Sequence, residues 1–186
     1  PFLFAIRAGV GAMRRRAQGG PNARDCAKID EQIAALQGVN RRILARLRPA
    51  ALEEMGLAGA LDALARDWRE THPGVTINLG VSDCAIDPET ALVAYRVAQE
   101  GLTNALRHAK ACRVTIDVRP AGEQELRVRV DDDGSGPDPG WRRGLGLRGM
   151  SERVSGIGGR LTFRNAVPKG SRLEASLPLP TPRTPD

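Results

Sequence analysis

The stretch ELRVRVDDDGSG, residues 125–136, decides how the chain is read. Leu126, Val128 and Val130 alternate with Arg127 and Arg129, the period of two that places every second side chain on one face of a sheet. The strand then runs into three carboxylates and a Gly-Ser-Gly turn, and a loop rich in Asp, Gly and Pro is expected over 131–140. A carboxylate at a strand end can accept a hydrogen bond from an exocyclic amino group such as adenine N6, and glycines let the backbone pass close to a flat ring. A tight acidic turn or a calcium loop is the alternative, although the EF-hand spacing and its terminal Glu are absent.

Upstream of this stretch, Val114, Ile116 and Val118 form a second alternating run, and the turn at Ala121-Gly122 joins the two strands. Before them, Pro88 to His108 reads as a long helix with Pro88 in an acceptable first-turn position. At about 100° per residue, Glu100, Asn104, Arg107 and His108 share one arc, while Tyr95, Ala98, Leu102, Ala105, Leu106 and Ala109 share the opposite one. Oxygen ligands of this kind suit Mg²⁺, and Arg107, His108 and Lys110 could meet phosphates. A solvated helix face is the plainer reading of the same arc. Further upstream, Val75, Ile77, Leu79 and Val81 mark a strand, and Leu57, Leu61, Leu64 and Trp68 mark a helix closed by His72-Pro73-Gly74.

Downstream, Gly144-Leu145-Gly146-Leu147-Arg148-Gly149-Met150 opens a short helix that Leu147, Met150, Val154 and Ile157 line, ending at Gly158-Gly159. Glycines ahead of a helix N-terminus expose N–H donors to a phosphate, helped by the helix dipole. The run is neither a dinucleotide fingerprint nor a Walker A motif. Leu161 and Phe163 begin one strand, and Leu173 to Leu177 end the last. This part of the chain is α+β, with a mostly antiparallel sheet and three helices on one face.

The first fifty residues differ. Leu3, Ile6, Val10 and Met13 step by three and four, and Cys26, Ile29, Ile33, Leu36, Asn40, Ile43 and Leu47 continue that rhythm after the Gly19 to Asn22 break. This is a helical hairpin ended by Pro49, and both an ordinary amphipathic hairpin and a dimerising bundle fit it. The organisation expected is a partial hairpin over 1–49, an α+β domain over 50–178 and a disordered tail over 179–186; the stretch from Pro178 to Asp186 holds four prolines.

Composition narrows the function classes. In 186 residues, 41% hydrophobic side chains allow a sizeable core, and Lys+Arg exceed Asp+Glu by 28 − 22 = +6. The arginines are spread along the chain and aromatics make up only 3%, which disfavours nucleic-acid binding. Three separated cysteines without a CxxC pair exclude a disulfide framework and point to a reducing, cytoplasmic compartment. Arg7 breaks the opening apolar stretch, so no transmembrane run is read, and membrane attachment would come only through parts outside these residues. The chain opens at Pro1 inside an expected helix, as a fragment of something longer would.

Taken in order, these motifs resemble the sensor histidine kinases of two-component systems. YRVAQEGLTNALRHA (residues 95–109) is similar to their N box, DDGSG (132–136) to the first glycine box, GLGLRGM with Ser151-Glu152-Arg153 to the second, and GSRLEASLP (170–178) to the closing segment. The run from Leu47-Arg48-Pro49 through Leu61 further resembles the subfamily serving NarL/LuxR-type response regulators. The resemblance implies the two-layer ATP-binding sandwich shared with gyrase-type and mismatch-repair ATPases. It implies that Asn104 with Glu100 holds Mg²⁺, that Arg107 and His108 lie near the phosphates of ATP, and that Asp132 binds adenine N6 between Gly134 and Gly136. Gly144, Leu145, Gly146 and Leu147 would close over the phosphates, and Ser171, where the family usually has Thr, would hold a water near adenine. Implied partners are a response-regulator receiver domain and a second copy through the hairpin.

Two departures stand out. Only seven residues separate Gly136 from Gly144, a very short ATP lid, and the chain holds only His72 and His108, neither in a His-Asp box. The phosphoacceptor is therefore expected upstream of Pro1, and the fragment is expected not to label itself. An idle nucleotide-binding or dimerisation module and a related ATPase or protein-serine kinase are the alternative readings.

Overall fold

A computed structural model describes residues 28, 29, 32, 49–107, 109–137, 144–166 and 168–179. The chain divides into two compact units, Pro1–Arg48 and Pro49–Asp186. In the first, Lys28, Ile29 and Gln32 are helical and exposed, and the rest of the expected hairpin lies outside the described residues. So do His108, residues 138–143 and the chain from 180 onward.

The second unit runs α1 (Ala50–Thr71), β1 (Thr76–Val81), α2 (Pro88–Arg107), β2 (Arg113–Pro120), β3 (Glu125–Asp132), α3 (Leu145–Gly156), β4 (Arg160–Asn165) and β5 (Ser171–Pro178). The five strands form one sheet in the order β1-β2-β3-β5-β4. Only β1 and β2 run parallel, joined by the α2 crossover that parallel neighbours need; the other pairs are antiparallel. The fold class is thus the expected α+β arrangement, a mixed and mostly antiparallel sheet with its helices on one face.

Alternation produces the two layers. Val114, Ile116 and Val118 of β2, Leu126, Val128 and Val130 of β3, and Leu173, Ala175 and Leu177 of β5 are all buried. They meet Val93, Val97, Leu102 and Ala105 of α2, Leu61 and Leu64 of α1, and Met150 and Val154 of α3 in one core cluster. The intervening residues form a polar face, where Asp131 accepts from Arg129 Nε at 2.5 Å and from Arg172 Nε at 2.6 Å.

Two sequence expectations need correcting. The acidic loop does not begin at Asp131: β3 continues through Asp132, because Asp131 pairs with Thr115 and Arg172 and Asp132 with Val114 and Ser171. Ladders on both sides override the low strand preference of Asp. α3 stops at Gly156, and Ile157 is its cap rather than its last turn.

α2, which carries the N-box residues, starts at a strong cap. Asp87 Oδ1 accepts from the backbone N–H of Glu89 and of Thr90, both at 2.9 Å, and so satisfies two of the helix's orphan donors. Burial alone would raise the Asp87 carboxyl, but hydrogen bonds from Thr90 and Glu89 outweigh it and hold the group below its ordinary value. A carboxyl lowered in the folded state stabilises above its unfolded value and loses that contribution as pH falls through the folded one. Asp87→Ala is therefore expected to cost about 1 kcal/mol at pH 7. Denaturant unfolding of both proteins should show this gap closing below about pH 4.

Candidate functional site

The end of β3, the turn that follows it and the start of β5 meet beside the exit of α2 at Ala109, and the start of α3 meets Glu100 of α2. Asp132 ends β3 on the helix-covered face and is buried at 8% exposure. Its Oδ1 accepts from Gly134 N–H at 2.8 Å and its Oδ2 from Ser171 Oγ at 2.5 Å. Each carboxyl oxygen has a second lone pair, so the group stays able to accept from a ligand while its rotamer is fixed. Ser171, whose hydroxyl the resemblance places near adenine, donates to Asp132.

The turn packs so closely that side chains are excluded. A Cβ on Gly134 would collide with the carbonyl oxygen of Ala109, whose lone pair takes the Ser135 N–H at 2.9 Å. On the other side, a Cβ on Gly170 would collide with the carbonyl oxygen of Asp132, and Gly170 has φ +94°. Gly136 lies against Gly170 and the Asn165 carboxamide, 2.8 Å from where its own Cβ would stand. Asn165 pairs with Ser171, which pairs with Asp132, so the three occupy one row across neighbouring strands. Reading the sequence missed Asn165, because nothing local marks a strand end as a neighbour of the DDGSG turn.

Asp133, inside the motif, has a different job. Its Oδ1 accepts from the N–H groups of Cys112 and Arg113, both at 2.8 Å. The Arg113 amide is the main cause holding this carboxyl below its ordinary value; partial burial opposes it and the Cys112 amide adds to it. Asp133 thereby fastens the turn to the start of β2.

Glu100 and Asn104 sit half-buried on α2. Glu100 faces α3, since a Cβ on Gly146 would strike its Oε1. α3 itself starts without a side-chain cap and without an acidic residue in its first turn. Its first helical bond joins Arg148 N–H to Gly144 C=O at 3.1 Å, so the amides of Leu145, Gly146 and Leu147 have no acceptor within the helix. Such an end suits an anion. Leu147 offers only its backbone, because its side chain belongs to the core.

The Arg107 guanidinium lies 6.0 Å from the Trp68 ring centroid of α1. His108 lies outside the described residues, and Lys110 takes a left-handed backbone, φ +50°, where α2 leaves for β2. Among the described residues no three His, Cys, Asp or Glu side chains cluster to cage a metal. One carboxylate and one carboxamide instead fit an ion such as Mg²⁺ that takes few protein ligands and completes its shell with water and phosphate oxygens.

Residues 89–181 match the family model described as histidine kinase-, DNA gyrase B- and HSP90-like ATPase. The chain is 35% identical over 180 residues to the signal transduction histidine-protein kinase/phosphatase UhpB of Salmonella typhimurium, covering 95% of this chain and 35% of that protein. It is 32% identical over 153 residues to the sensor histidine kinase LiaS of Bacillus subtilis, covering 81% of this chain and 42% of that one. The chain thus spans well under half the length of these curated relatives. Among solved structures, the histidine kinase domain of the Erythrobacter litoralis EL346 blue-light activated histidine kinase superposes with TM-score 0.61 at 22% identity, over 95% of this chain and 94% of that one. The ATP-binding domain of PrrB from Mycobacterium tuberculosis superposes with TM-score 0.55 at 25% identity, over 67% of this chain and 95% of that one.

The Ser171–Asp132 bond gives a direct test. Ser171→Ala leaves a buried carboxyl oxygen short of its donor and should destabilise the unit by about 1–3 kcal/mol. Ser171→Thr keeps the hydroxyl and should lose clearly less, as read from chemical denaturation of both variants.

Proposed function

The chain belongs to the histidine kinase-, DNA gyrase B- and HSP90-like ATPase family, and from that premise we propose that it is the ATP-binding catalytic core of a sensor histidine kinase. The reaction passes the γ-phosphoryl of ATP to a histidine nitrogen, releasing ADP, and then to an aspartate of a response-regulator receiver domain. The observation that carries this reading is Asp132, a buried carboxyl held in one rotamer by Ser171 and Gly134 at the end of a central strand.

In this reading the adenine amino group donates to Asp132, where guanine would present a carbonyl and leave both acceptors facing each other. The free amides of Leu145, Gly146 and Leu147 receive phosphate oxygens at the α3 N-terminus. Glu100 and Asn104 would hold Mg²⁺, which when bound neutralises charge on the phosphate oxygens. Phosphoryl transfer asks for positioning and charge stabilisation more than covalent chemistry from the protein, and this site supplies those.

The acceptor histidine is neither of the two in this chain. His72 caps α1 with its N–H on Trp68 C=O, and its ring lies 4.8 Å from the Trp68 ring. His108 follows the last turn of the helix that lines the site. The hairpin over 1–49 is proposed to pair with a second copy. The working compartment is proposed to be the cytoplasm; among the described residues no helix is long and apolar enough to cross a membrane.

Two substitutions test the assignment by calorimetry. Asp132→Asn should weaken ATP by on the order of 1–3 kcal/mol and narrow the preference for ATP over GTP; unchanged ATP affinity in a folded variant refutes the base pocket. Asn104→Asp should change the Mg²⁺ dependence of ATP binding more than metal-free ADP binding. An equal loss in both makes Asn104 a structural residue.

A further inference from the structure

α1 is broken at one residue. Gly56 has φ +67° and ψ −175°, a region that side chains exclude, and nothing lies within 4 Å of where its Cβ would stand. The backbone angle alone therefore demands glycine there. Three residues later a second glycine serves the same bend for another reason. A Cβ on Gly59 would lie 2.5 Å from Met55 Cβ, whereas an unbroken helix keeps residues four apart at about 5–6 Å. The break has folded Met55 into the space above Gly59.

Both arms of the bend are anchored in the same core. Leu52 on the near side is 3% exposed and Leu57 on the far side 7%, and they belong to one cluster. Glu53, Glu54 and Met55 face outward between them. The start of the near arm is also closed, with Leu52 N–H on Pro49 C=O at 2.9 Å. A slack linker would have none of these contacts.

We infer that Met55–Gly59 is a preset elbow, which holds residues 50–55 in one direction so that the entry of the chain at Pro49 is set inside the ATP-binding unit. Its value for phosphoryl transfer rests on the function proposed above; the elbow itself does not.

Hydrogen exchange on the 186-residue chain tests the coupling. Gly59→Ala should raise exchange at residues 50–55 about tenfold when Met55 is present. In a Met55→Gly background the same substitution should leave exchange within twofold or slow it, since alanine favours helix over glycine and the colliding atom is gone. Gly56→Ala should raise exchange about tenfold in both backgrounds. ATP affinity should stay within twofold throughout, and thermal melting checks the rest of the unit. Global unfolding with Gly59→Ala that Met55→Gly relieves supports the same coupling. Equal responses to Gly59→Ala in the two backgrounds, unchanged protection in Gly56→Ala, or ATP affinity falling together with protection overturns the elbow. A chain that never binds ATP but shows the predicted exchange pattern refutes the proposed function and leaves the elbow standing.

Discussion

The structure depends on placing a carboxyl group inside the protein at the end of its middle strand. A buried polar group without partners costs several kcal/mol, so Asp132 can occupy this place only if donors are brought to it. Gly134 N–H comes from the turn that follows and Ser171 Oγ from the neighbouring strand. Those demands shape what surrounds the site. The turn must curl back at once, its glycines must accept backbone approaching on two sides, and β5 must begin with a hydroxyl in register with Asp132.

Three consecutive aspartates show how strongly position governs role. Asp131 points to the polar face and binds two arginines, Arg129 and Arg172, at a half-exposed site where ion pairs contribute at most about 1 kcal/mol. Asp132 points inward and is left with acceptor capacity facing the site. Asp133, past the strand, ties the turn to Cys112 and Arg113. The chemistry of the three side chains is identical, and the pleat alternation with the end of the ladder separates them. The same alternation arranges the remainder of the site, because it turns β3 towards α2 and so brings the turn under Ala109 at the end of that helix.

Beside Glu100 stands a helix start that is left open. In most helices a side chain or an acidic first turn would satisfy the first amides. Here Gly144 cannot, and the space over Gly146 is taken by Glu100 from α2. The result is a donor group and a carboxylate held side by side by two different helices. Such a pair suits a polyanion carrying a divalent cation, and neither helix provides it alone.

Much of this was legible before any coordinates. Period-two runs located β1, β2 and β3, apolar residues at 161–163 and 173–177 marked β4 and β5, and two opposite arcs with Pro88 at the start marked α2, because alternation and a buried stripe are properties of consecutive residues. The order of N box, DDGSG and GLGLRGM carried the family for the same reason: each motif is a local backbone device. What tertiary structure decided was every relation between segments distant in the chain. Asp132 meeting Ser171, Asn165 lying beside Gly136 and Arg107 resting on Trp68 join residues 39, 29 and 39 positions apart, where spacing carries no signal. The bend at Gly56 was missed because the leucines on either side keep helical spacing through it, and only a backbone angle distinguishes a bent helix from a straight one. Local pattern is written in the order of residues, whereas the pairing of partners arises from packing the layers together, and there the positions of the functional groups were set.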